Sequence, residues 1–145
     1  MNVVKNVLGL ILGFVIGGVV NFAIVGLGPL VIPVPEGVDM SDMENFAENL
    51  QKLKPVNFIA PWLAHAVGTL VGAMVAARIA TSHRTLMAVI ISVFFLAGGI
   101  TMVAMYGGPV WFTILDLVFA YIPMGLLAAR LVGQPGKPGE PAQTA

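Results

Sequence analysis

Apolar residues dominate four stretches of the chain, 7–31, 58–80, 86–106 and 111–132, with lysine and arginine confined to their ends. A hydrocarbon core about 30 Å thick needs about 20 apolar residues per helix, so each stretch predicts one membrane-crossing helix. The pattern predicts an all-α integral membrane protein, a four-transmembrane-helix bundle forming a single domain over 1–132, followed by a disordered cytoplasmic tail over 133–145. The first stretch is longer than the ~7–15 residues of a secretory h-region and lacks an A-x-A cleavage site after it, so it reads as an uncleaved span. The 32–57 connection breaks the pattern. Pro33-Val34-Pro35 favours an extended entry, Ser41 and Glu44 stand at capping-box spacing, and Met43, Phe46, Ala47 and Leu50 recur as one helical face. An external amphipathic helix over about 41–54 follows, ended by Pro55 and capping the mouth of the bundle, with the outer leaflet or a docked partner as the alternative places for it.

Charge adds the orientation. Lys5, Arg78, His83, Arg84, Arg130 and Lys137 fall on one side of the four-span arrangement, whereas Glu36, Asp39, Asp42, Glu44 and Glu48 crowd the 32–57 loop against Lys52 and Lys54. The positive-inside rule then places both termini in the cytoplasm of a multi-pass protein of the cell inner membrane, with Trp62, Tyr106 and Trp111 anchoring the opposite ends of their spans.

Short landmarks recur in order. Gly17-Gly18 and Gly28-Pro29 in the first span are matched by Gly98-Gly99 and Gly108-Pro109 around the third, and Ala76-Ala77-Arg78 by Ala128-Ala129-Arg130. This predicts a parallel tandem repeat of two-helix hairpins, related by an axis along the membrane normal. Gly9, Gly13 and Gly17 lie on one face of the first helix, and Ala64, Gly68, Gly72 and Ala76 on one face of the second. Small residues at four-residue spacing let helix backbones approach in lipid, so these faces should pack together.

Composition narrows the function. With 58% apolar and 10% charged residues the chain lacks the polar surface of a soluble domain, and a net charge of zero argues against nucleic acid as a partner. The absence of cysteine excludes a thiolate site. No H-E-x-x-H, G-x-S-x-G or phosphate-binding glycine loop is present, so neither enzyme activity, a metal nor a cofactor is expected. The polar side chains that matter within the spans are Asp116, His65 and Asn21, because ionisable groups at membrane depth are costly and mark sites. Counting from Trp111 and Trp62, Asp116 and His65 sit roughly 5–8 Å below the outer interface, at matching heights on corresponding helices, so they should meet. Pro123 frees a backbone carbonyl in the fourth span.

In size and span count the chain is similar to the small multidrug resistance transporters and fluoride channels, but the acid that marks the first span of the former is missing here, as is the glycine-rich arginine motif of the latter. The sequence therefore leads to a structural or accessory role in a membrane complex, with the lipid bilayer and a homo-oligomer or other membrane subunits as partners. The alternative is an oligomeric transporter or channel subunit for a small solute or ion, with His65 and Asp116 at its outer mouth.

Overall fold

The computed structural model describes residues 2–133; residues 134–145, which hold nearly all of the expected tail, lie outside the described residues. Helix α1 spans Asn2–Val31, α2 Phe46–Lys52, α3 Ile59–Ile79, α4 Arg84–Tyr106, α5 Val110–Phe119 and α6 Ile122–Val132, with a single 3-10 turn at Pro55–Phe58 leading into α3. No strand occurs among the described residues. Four segments, Val3–Val31, Pro55–Ile79, Arg84–Tyr106 and Val110–Val132, are long and apolar enough to cross a membrane.

α1 begins five residues earlier than the apolar pattern alone implies, since nothing in Asn2-Val3-Val4-Lys5-Asn6 breaks a helix. It passes through Gly28-Pro29 and stops at Val31, where the coming Pro33 disfavours helical geometry in the residue before it. Its start is tied to the turn between α3 and α4: the Asn6 amide donates to Ser82 Oγ at 3.0 Å and accepts from the Thr81 backbone N–H at 3.1 Å.

α3 is the central helix, with α1 along one side and α4 and α6 against others. The α1–α3 seam brings the two small-residue faces together. A Cβ on Gly13 would lie 2.5 Å from the Gly72 carbonyl oxygen, and one on Gly17 2.6 Å from that of Gly68. Neither contact leaves room for a methyl group, and Gly9 meets Ala76 in the same way one turn further along. Where α3, α4 and α6 meet, the core is alanine-rich: Ala73, Ala76, Ala77, Ala88 and Ala128 are fully buried, with Ile91 filling the space among them. Lipid is as apolar as leucine, so close van der Waals fit rather than water exclusion holds such helices together.

Two boundaries differ from the sequence expectation. The 41–54 helix shrinks to Phe46–Lys52, because the Ser41–Glu44 capping box does not form. Asp39 Oδ1 instead accepts from both the Ser41 N–H at 2.8 Å and the Ser41 hydroxyl at 2.6 Å, and Asp42 Oδ1 accepts from the Glu44 N–H at 3.1 Å. Aspartates bonding the amides just ahead of them make turns that compete with helix. The remaining loop is pinned by amides: Asn49 donates to the Asp39 carbonyl at 2.7 Å and Asn57 to the Pro33 carbonyl at 3.0 Å. Phe46 of α2 packs edge-on against Tyr106 at the end of α4, and Phe58 lies against Trp111 and Phe112.

The second correction concerns the 111–132 span, which is not one helix but α5 and α6, separated at Ala120-Tyr121. Pro123 has no N–H to offer the Phe119 carbonyl and its ring crowds that position. The last α5 bond is donated by the Ala120 N–H to Asp116 O, and α6 starts afresh with the Gly125 N–H donating to Tyr121 O. The matched Gly-Pro landmarks also take different shapes. Gly28-Pro29 lies inside α1, whereas Gly107 and Gly108 adopt positive φ and, with Pro109, separate α4 from α5.

Candidate functional site

The site is assembled from α3, α5 and the break before α6. α3 carries His65 one turn from Thr69, and α5 carries Asp116 about two turns in from its start. His65 Nδ1 and Asp116 Oδ1 are 2.8 Å apart. Asp116 Oδ2 accepts from the Tyr121 hydroxyl at 3.0 Å, so both carboxylate oxygens have a side-chain partner. The Tyr121 ring in turn stacks on the His65 imidazole, with centroids 5.6 Å apart and planes 28° apart. Three side chains form a closed triangle.

The break in the fourth segment makes this triangle. In a continuous helix, residues five apart point about 140° away from each other, so Tyr121 would turn from Asp116 rather than toward it. With Pro123 interrupting the ladder, Tyr121 takes φ −119° and ψ −79°, and its ring swings back over the end of α5. α4 supplies the room: a Cβ on Gly99 would fall 2.5 Å from the Tyr121 hydroxyl oxygen. Only glycine there lets the phenol reach the carboxylate.

Burial sets the electrostatics. Asp116 and Tyr121 are 4% and 2% exposed, while the His65 side chain keeps 27% of its surface accessible. His65 Nδ1 and Asp116 Oδ1 share one hydrogen bond, whose donor is set by the imidazole tautomer. Nε2 is left as the remaining ring nitrogen of the one partly exposed member. A buried carboxyl group without partners would be strongly destabilising in apolar surroundings, and its two partners from the same chain offset that penalty. Below His65 on the same helix, the Thr69 hydroxyl is fully buried and has no hydrogen-bond partner among the described residues.

Of the sequence-derived residues, His65 and Asp116 come together and Asn21 does not join them. Asn21 lies in the α1–α3 seam, where its Cβ is 2.9 Å from the position a Gly68 Cβ would take. Gly9, Gly13, Gly17, Gly68 and Gly72 all line that seam, away from the triangle. Tyr121 is the member that spacing reasoning missed, because its interval from Asp116 matches no helical face; Pro123 two residues on was the available sign that helical spacing fails there. Among the described residues no three His, Asp or Glu side chains gather as a metal ion would require. No known family model matches the chain, and neither does any curated protein or solved structure.

Proposed function

We propose that the chain is a small multi-pass inner-membrane protein with a structural or accessory role in a membrane complex, built as a four-helix bundle. In this reading both termini and the 81–85 turn are cytoplasmic, the 32–57 loop lies outside with α2 over the mouth, and two tandem two-helix units make up the bundle. The orientation rests on Lys5, Arg78, Arg84 and Arg130 at one end of the segments and on the five acids of the loop at the other. One observation carries the structural role: Asp116, the single acid within the apolar segments, has both oxygens engaged by His65 and Tyr121 and is 4% exposed. The group best suited to act on a solute is thus occupied in fastening the broken fourth segment to α3.

The second reading, an oligomeric transporter or channel subunit with this triangle at its outer mouth, is favoured by the partial exposure of His65 beside a broken segment, since discontinuous helices often bracket transport sites. Reconstituted vesicles separate the two. The structural reading expects proton and alkali-cation flux no greater than in protein-free vesicles, with copurifying subunits from native membranes. Flux that Asp116→Asn abolishes would replace it with the transport reading.

A further inference from the structure

Between α4 and α6, at the end of the molecule that carries the 81–83 turn, lies a groove of about 300 Å³ lined by Thr85, Leu126, Ala129, Arg130 and Gly133. It belongs to neither the His65–Asp116–Tyr121 triangle nor the glycine seam. Its two ends differ in chemistry. Arg130 is exposed two residues before α6 stops at Val132, and Leu126, one turn further into the segment, is 44% exposed. A cation therefore stands where a spanning helix leaves the hydrocarbon, and an apolar wall runs inward from it by about 6 Å.

The surroundings reinforce the charge. Lys5, Arg78 and Arg84 share this end of the molecule, while every acid among the described residues lies in the 32–57 loop or at Asp116. Arg130 has no carboxylate partner among the described residues, and Arg84 turns its Nε to the Ala80 carbonyl at 3.3 Å. We infer that this groove seats an anionic phospholipid, with the phosphate on Arg130 and one acyl chain running past Leu126. A soluble anion would have no use for the apolar wall, and a zwitterionic lipid would gain little from the excess of cations. Basic pockets between helices at the cytoplasmic side suit anionic headgroups for this reason.

Native mass spectrometry of the purified full chain, released from micelles doped equally with phosphatidylglycerol and phosphatidylcholine, tests this. Phosphatidylglycerol should be retained preferentially, and Arg130→Gln should lower that preference about fivefold, the effect of one cation near a membrane surface. Leu126→Trp, which fills the groove on an exposed position and keeps every charge, should lower retention comparably. Equal retention of the two lipids would overturn the inference. So would a loss with Arg130→Gln that Leu126→Trp does not reproduce, which would indicate diffuse surface charge. Retention gained only after removal of residues 134–145 would also overturn it, by assigning the groove to the chain's own tail.

Discussion

On one side of α3 the seam with α1 is made by missing side chains: Gly13 and Gly17 stand against Gly72 and Gly68 with backbone meeting backbone. On another side, α6 packs on α3 through alanines, while the break between α5 and α6 is fastened to α3 by polar side chains, with Asp116 held between His65 and Tyr121. Both solve one problem, that apolar side chains gain little by leaving lipid for one another. The glycine seam is tolerant of register in principle, since any run of small residues can slide, and draws its strength from many weak contacts. The polar triangle specifies one register and one rotation, because each bond has a length and a direction. The two halves of the chain thus carry similar landmarks but are fastened by different physics.

The largest effect is expected from filling the seam. Gly72→Leu places a side chain against the Gly13 carbonyl, 2.6 Å from where its Cβ would begin, so the two helix backbones must shift apart. Overpacking of this kind costs about 1–3 kcal/mol or more. Gly18→Leu is the control, for Gly18 has open space within 4 Å and should leave stability unchanged. Thermal or denaturant unfolding in detergent reads both; equal losses would mean that the seam is not where α1 and α3 meet.

A loss of at most that size is expected at the triangle. Tyr121→Phe strands Asp116 Oδ2, and His65→Leu strands Oδ1, each at about 1–3 kcal/mol. Because the stranded acid is the source of the cost, His65→Leu with Asp116→Leu should recover part of what either change loses alone. A coupling energy near zero in that double-mutant cycle would dissolve the triangle and leave the two seams no longer distinct in kind.

The smallest effect belongs to the loop, which neither seam supports. The Ser41 hydroxyl bond to Asp39, and the Asn45 side-chain bond to Asp42, hold both carboxyls below their usual 3.8. A lowered folded value means that the turn gains stability above the ordinary carboxylate range and loses it as pH falls through the folded value. The protection factors of the Ser41 and Asn45 amides, which remove the intrinsic pH dependence of exchange, should therefore fall as pH drops below the ordinary carboxylate range, with the helical segments as internal reference. Protection factors that stay level would show that the turns do not depend on ionised aspartate.

The four apolar segments and their helical type were legible because they follow from local rules: an apolar run long enough to cross lipid must satisfy its own backbone, and helix is the single-chain way to do so. The matched heights of His65 and Asp116 were legible too, since both depend on counting residues at a constant rise within unbroken helix. The loop helix was overextended because capping-box spacing at Ser41 does not say which acceptor wins, and Asp39 and Asp42 stood nearer in sequence to the same amides. Tyr121 lay beyond sequence reasoning for a deeper cause. Its place beside Asp116 needs the ladder cut at Pro123, the chain rotated at Ala120-Tyr121, and α4 brought close enough for Gly99 to admit the phenol. Composition and periodicity determine what each segment is, because those are properties of neighbours in the chain; which polar groups meet at a break is decided by the packing of separate helices, which no local interval records.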